Sequence, residues 1–365
     1  MLIGIDGNEA NTRDRVGSNV YAFELISEIA KQDKVNEYII YLREKRVLDL
    51  PKDRDSFNYR ILPPQKLWTQ WRLPLDLYLH RPRPDLFFTP GHYAPRFSPI
   101  PTVISIMDLA FLKFPEVYQS AVLHQLKTWT RYSVKQARHI FAISQHTKSD
   151  IVKHYAVDPR AITVTYPGVH PRFRQVYPPT RIQHIIRKYH LPDQYFLFIG
   201  TRQPRKNLAR LTAAASQLPG TNLVIIGKTW HQFRPETEPE TGKGANVLEL
   251  GFVPDADLPL LMLGSQALVL PSLYEGFGIP VAEAMAVGTP VVISNVSSLP
   301  ELVGNSGILV DPESVSSITA GLRTVISLSD QKRVQLIKSA QARSRLFTWA
   351  KCAQKTLEVL HGLAA

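Results

Sequence analysis

Two glutamates, Glu275 and Glu283, flank a Gly276-Phe277-Gly278 turn in the stretch LVLPSLYEGFGIPVAEAMAVGTPVVIS, with seven residues between them. Carboxylates do not bind phosphate; they accept hydrogen bonds from hydroxyls. The amides of Gly276, Phe277 and Gly278, together with the N-terminus of the helix that follows, offer a place for an anion. A ligand with sugar hydroxyls at both ends and phosphate between them would use every one of these groups, and a nucleotide sugar is such a molecule. A plainer reading stays open, in which Glu283 lies in the first helical turn and only complements the helix dipole.

A second turn carries fixed positive charge. Gly200-Thr201-Arg202-Gln203-Pro204-Arg205-Lys206-Asn207 follows the apolar run YFLFIG and opens a helix. Helices favour acids in their first turn, so a basic pair there is locally unfavourable unless an anion binds. A departing diphosphate gains negative charge, and cations held in place stabilise it. Arg205 and Lys206 would fill that role without a divalent metal. No DxD-type or histidine cluster reads as a metal site, and no cofactor is called for.

Both turns need rigid elements behind them. Apolar runs that read as strands are LIGIDG, YIIYL, DLFFTP, TVISIMD, HIFAIS and AITVTYP, with helical periodicity in VYAFELISEIAK, LHQLKTWTRYSVKQA and HTKSDIVKHYA. After a polar, proline-bearing stretch near residues 168–190 the pattern restarts with YFLFIG, a helix from Asn207 to Ser216, NLVIIG, VLELG, ALVLP, PVVIS and GILV. Strands alternating with helices predict α/β architecture with parallel sheets covered on both faces. The Glu275 and Arg205 turns then lie at carboxyl ends of strands, where open α/β sheets bind ligands. HQFRPETEPETGKGA reads as a surface loop and FTWAKCAQKTLEVLHGL as an amphipathic helix.

The 365 residues suffice for two domains, and 44 % hydrophobic composition describes a globular chain. One cysteine, Cys352, excludes an internal disulfide framework. The start MLIGIDGNEA lacks a signal-peptide pattern and no window is long and apolar enough for a membrane span, so a cytoplasmic location is expected. The net charge is +12, of which +8 falls in residues 1–180. The basic residues are scattered and accompanied by no nucleic-acid motif, which argues against a nucleic-acid partner and is compatible with phosphorylated ligands. Trp68 and Trp71 stand among basic residues in KLWTQWRL. They fit a core or sugar-stacking role, or a peripheral contact with the inner membrane face.

The run PSLYEGFGIPVAEAMAVGTPVV closely resembles the signature of the family-four (group 1) retaining glycosyltransferases of the GT-B fold, the bacterial mannosyltransferase-like enzymes among them. GTRQPRKNL resembles that family's diphosphate-binding turn, and the start IGIDGNEANTRDRVGSNVY, ISIMDLAFLKFPE, AISQHTKSDIVKHYAVDPRAITVTYPGV and FTWAKCAQKTLEVL are similar to further family segments. The resemblance implies two Rossmann-like domains facing a cleft: residues 1–175 holding the acceptor, 190–345 binding the donor, and a C-terminal helix, 348–365, crossing back to the first. It implies that Glu283 meets the ribose hydroxyls and Glu275 the transferred sugar. Gly276, Phe277 and Gly278 would contact sugar or phosphate oxygens, and Arg205 and Lys206, beside Gly200, the diphosphate. Gly17 would let the backbone approach the donor phosphates, and Phe252 and Val253 would seat the nucleobase. Asp108 fits acceptor contact or a loop cap. Many relatives carry His-Asp where this chain has Met107-Asp108, and Met107 cannot donate a hydrogen bond. His92 and His146 are the candidate replacements.

The expected function is retaining, metal-independent transfer of a hexose of mannose or glucose type from a GDP- or UDP-linked donor to a hydroxyl of a glycan or lipid-linked acceptor. Two alternatives stay open: a GT-B sugar-nucleotide epimerase, and a pseudo-enzyme that keeps only the nucleotide site.

Overall fold

The computed structural model describes residues 1–227 and 246–364; the expected surface loop His231–Ala245 lies outside the described residues. The chain divides into two compact units. One comprises Met1–Leu109, His124–Gly168 and Thr348–Ala365, the other Ala110–Leu123 and Val169–Phe347.

The first unit contains a seven-stranded sheet of β1 (Leu2–Asp6), β2 (Glu37–Leu42), β3 (Phe57–Ile61), β4 (Leu86–Thr89), β5 (Thr102–Ile106), β6 (His139–Ala142) and β7 (Ile162–Val164). Every pairing is parallel, in the order β3-β2-β1-β4-β5-β6-β7. β4, β5 and β6 are buried at every residue, as strands covered on both faces must be. The edge strand β3 has one fully buried residue, Phe57, and its sequence FNYRI shows no apolar run that would have announced it. The last helix, Trp349–Ala364, packs on the Ser18–Gln32 helix, where Gln32 donates to the Ala350 carbonyl and Asn36 bonds His361.

The second unit repeats the design with β8 (Phe196–Ile199), β9 (Asn222–Ile226), β10 (Asn246–Gly251), β11 (Ala267–Leu270), β12 (Val291–Ser294) and β13 (Ile308–Val310). Its sheet is again all parallel, in the order β10-β9-β8-β11-β12-β13. The stretch near 168–190 that reads as a polar connection contains a helix, Pro179–Lys188, packed on the Leu258–Gly264 helix. Ile185 of that helix is buried and Ile182 and Ile186 are half-buried, a repeat at helical spacing that the surrounding prolines and basic residues masked as a connection. No helix among the described residues is long and apolar enough to cross a membrane.

In both sheets the strand order reverses once, between β1 and β4 and between β8 and β11. Where neighbouring strands send their connections to opposite faces, a crevice opens at the carboxyl edge that no connection covers.

Candidate functional site

The second unit's reversal point is built by two segments far apart in sequence. After β8 the chain makes a short turn, Pro204–Lys206, and enters the Leu208–Ser216 helix through Asn207. Asn207 is buried, and its amide donates to the carbonyls of Pro271 (2.9 Å) and Pro312 (2.6 Å). Leu273 N–H donates to the Arg205 carbonyl at 2.8 Å. These bonds stitch the end of β8 to the end of β11.

Glu275 is 5 % exposed. Lys206 Nζ donates to its Oε1 at 2.6 Å, Ser272 Oγ donates to the same oxygen at 2.7 Å, and Arg205 Nη1 lies 3.6 Å from Oε2. The Glu275 backbone is pinned as well: its N–H donates to Ser297 Oγ and its carbonyl accepts from Ser298 Oγ. Arg205 is oriented by donating to Gln203 Oε1 (3.0 Å) and to the Tyr274 carbonyl (2.8 Å). Burial works to raise the Glu275 carboxyl, but the charges of Lys206 and then Arg205, with the two hydrogen bonds, hold it below its usual value. The outcome is one carboxylate and two cations on the crevice floor, a locally positive cluster.

A carboxylate with a depressed value contributes stability that is fully present above its ordinary 4.5 and is lost as pH falls through the folded value. The melting temperatures of wild type and Glu275→Gln are therefore expected to differ at neutral pH and to converge below that point. A gap that stays constant under acid would show that Glu275 is not held ionised.

Past Glu275 the chain turns through Gly276, Phe277 and Gly278 into the Ile279–Val287 helix. Phe277 is buried with its ring centroid 5.4 Å from that of Phe347. Gly278 has φ +97°, and a Cβ there would lie 2.7 Å from Leu299 Cδ2. Gly278→Ala is expected to cost roughly 1–3 kcal/mol in a denaturant titration through that strained conformation and clash. Glu283 is the fifth residue of this helix, one position further in than a start at Pro280 would place it, because the helix already starts at Ile279. Gly200 follows β8, with its carbonyl so close to Gly227 that a Cβ on Gly227 would sit 1.9 Å from it. Phe252 (47 % exposed) and Val253 (buried) follow β10, at the sheet edge two strands from β8.

Gly17 and Asp108 belong to the first unit. Gly17 precedes the Ser18–Gln32 helix at φ +51°, with open space where a side chain would be. Met107 and Asp108 follow β5, at the edge where β1 and β4 part. Met107 N–H donates to His92 Nε2 at 3.0 Å, and its carbonyl accepts from Thr147 Oγ1 at 3.4 Å. Burial lowers the His92 imidazole below its usual value while Asp108 pulls it the other way. His146 Nε2 lies 3.4 Å from Asp150 Oδ2. Of the two histidines proposed to offset Met107, His92 is thus the one bonded to it.

Reasoning from sequence did not find Ser272, Ser297, Ser298 and Gln203. Ser272 lies in the motif itself, but Ser297 and Ser298 lie beyond β12 and no local pattern marks them.

Residues 182–343 match the family model described as glycosyl transferases group 1, and residues 16–173 match glycosyltransferase family 4. The chain is 30 % identical over 309 residues to the O-antigen chain mannosyltransferase B of Escherichia coli, covering 82 % of this chain and 78 % of that one. Among solved structures it resembles a sucrose-phosphate synthase from Thermosynechococcus elongatus, with TM-score 0.77, 18 % identity, and 99 % and 98 % of the two chains covered. It also resembles Anabaena HepE in complex with UDP and glucose, with TM-score 0.76, 18 % identity and 99 % of each chain covered.

Proposed function

The chain belongs to the group 1 glycosyl transferases and is a glycosyltransferase of the GT-B fold, and on that premise we propose that it transfers mannose from a nucleotide diphosphate sugar to a glycan hydroxyl with retention of configuration and without a divalent metal. The observation that carries this reading is the Glu275–Lys206–Arg205 cluster at the β8/β11 reversal point.

In that cluster Lys206 and Arg205 are engaged by Glu275. A diphosphate arriving in the crevice competes for the same cations. As Lys206 swings toward phosphate, the Glu275 carboxylate is released to accept a hydrogen bond from a sugar hydroxyl. Donor binding and the arming of Glu275 are then one exchange of partners. The amides of Gly276, Phe277 and Gly278 complete the grip on sugar and phosphate oxygens, Glu283 takes the ribose hydroxyls, and Phe252 and Val253 seat the base.

The bond from sugar to diphosphate lengthens into an oxocarbenium-like species, the two cations stabilise the charge on the departing oxygen, and the acceptor oxygen attacks from the same face. Its proton passes to the leaving phosphate oxygen, so no dedicated protein base is needed. Mannose as the transferred sugar is supported by the relative named a mannosyltransferase. GDP or UDP carries it, and an acceptor that is part of a growing polysaccharide suits the same relative.

Thermal shift against GDP- and UDP-linked hexoses tests the donor. A ligand at a hundred times its dissociation constant adds about 2.7 kcal/mol. Transfer to a synthetic glycan acceptor, with the new anomeric centre read by NMR in the presence and absence of EDTA, tests the rest. An inverted product, activity lost to EDTA, or sugar isomerised without acceptor (as an epimerase would do) would each overturn part of the reading. Donor binding with no transfer to any acceptor would favour the pseudo-enzyme.

A further inference from the structure

We infer that the outer face of the Leu67–Leu79 segment in the first unit is a docking surface for an anionic lipid bilayer. The segment runs as a wide helical turn, Trp68–Arg72, continued by the Leu73–Leu79 helix. Its inner face is spent on the core: Trp68, Leu73 and Leu77 cluster with Tyr41, Leu62 and Phe87, and the Trp68 indole N–H donates to the Leu62 carbonyl at 3.0 Å. A surface helix with one buried face normally turns polar residues outward. This one does not. Leu67, Trp71, Leu75, Tyr78 and Leu79 are 51, 70, 53, 49 and 73 % exposed, at spacings of four, four, three and one residues.

Phe97, 67 % exposed, lies close by in the chain that touches this segment, since the neighbouring Arg96 N–H donates to the Thr69 carbonyl at 3.0 Å, and its ring meets Tyr132 edge-on. The two tryptophans of KLWTQWRL therefore part company. Trp68 is core and Trp71 is offered to the surroundings.

Charge selects the occupant. Between residues 61 and 100 there are five Lys or Arg and two Asp. Asp76 is buried, with Arg60 at 2.8 Å and Arg72 at 3.9 Å from its Oδ1, and the exposed Asp85 accepts from Leu2 N–H. Lys66 and Arg81 are exposed, while Arg72, Arg83 and Arg96 are half-buried. Arg81 and Arg83 both donate to the Tyr78 carbonyl, which holds their cationic heads at the helix C-terminus beside Leu79. Beside Lys66, Gln65 Nε2 donates to the Glu44 carboxylate at 3.1 Å. Amphipathic aromatics and leucines ringed by cations match the apolar boundary and anionic headgroups of a bilayer. A second protein would have to bring its own acidic, apolar groove. The contact is peripheral, since no described helix spans a membrane. It rests on this surface alone and not on the donor chemistry.

The full chain should cosediment with phosphatidylcholine vesicles containing phosphatidylglycerol, weakly or not at all with phosphatidylcholine alone, and less at high salt. The variant Trp71→Ser/Leu75→Ser/Leu79→Ser should lose roughly tenfold or more in apparent affinity, because an indole and two isobutyl groups no longer leave water. Its circular dichroism and melting should match the wild type, the three side chains being exposed. Should that variant fail to fold, the Trp71→Ser single variant is compared, and brominated lipids should quench wild-type fluorescence more than its own. Absence of wild-type binding, equal binding to uncharged vesicles, or unchanged binding by the variants would overturn the inference. So would a dimer abolished by the triple substitution in the absence of vesicle binding, which would make a second copy the occupant.

Discussion

Glu275→Ala is expected to lower turnover by at least about a hundredfold while leaving nucleoside diphosphate affinity unchanged or improved. The rate follows from removing a charged contact to the reacting sugar, for which losses of about 10²–10³ are typical of fixed polar groups at reacting centres. The affinity follows from the ion pair: Lys206 and Arg205, no longer engaged by a carboxylate at 2.6 and 3.6 Å, are released for phosphate. Stability should fall by about 3 kcal/mol, since deleting one partner of a buried pair strands the other, and Ser272 Oγ loses its acceptor too. Calorimetry with GDP and UDP, steady-state kinetics and a denaturant titration on one preparation read all three. A variant that loses nucleotide affinity in step with turnover would place Glu275 in general binding and end the proposed exchange of partners.

Lys206→Met carries the opposite signature on binding. It keeps the aliphatic stem and removes the ammonium, so nucleoside diphosphate affinity and turnover should both fall, the latter by about 10²–10³ as the departing diphosphate loses a fixed cation. Glu275 then keeps its desolvation penalty with only Arg205 and the Ser272 hydroxyl to offset it, and its pKa rises from the depressed position. The part of the acid limb that Glu275 contributes, read as the difference from Glu275→Gln, should move to higher pH in Lys206→Met and be absent from the double variant with Glu275→Gln. A shared acid limb in wild type and Lys206→Met would mean that the 2.6 Å contact does not set the carboxylate's ionisation. The two substitutions thus move diphosphate affinity in opposite directions. Nonspecific damage to the fold would move it one way.

Much of the architecture was legible because a parallel sheet covered on both faces demands uninterrupted apolar strands, and TVISI, FLFI, ALVL and VVIS are such runs. Where burial is partial the signal fades. FNYRI at the edge has one buried side chain and no apolar run, while in the helix Pro179–Lys188 the helical repeat Ile182, Ile185, Ile186 is present but stands among basic residues directly after Pro178-Pro179, which read as a connection. Glu283 stands one position deeper in its helix than a start at Pro280 implies, because Gly278, free to take a positive φ, lets the helix begin at Ile279.

The order of residue types along the chain by itself determined the kind of chemistry: a glycine turn with acids on either side, and a second turn carrying an arginine and a lysine. Tertiary structure alone decided that Lys206 and Glu275, sixty-nine positions apart, share a hydrogen bond, and that Trp68 is core while Trp71 faces outward. The physical reason is the crossover. Parallel strands must be joined by long excursions, so β8 and β11 become neighbours only when the sheet assembles. Local preferences fix which groups each turn presents, and the sheet's strand order fixes which of those turns meet.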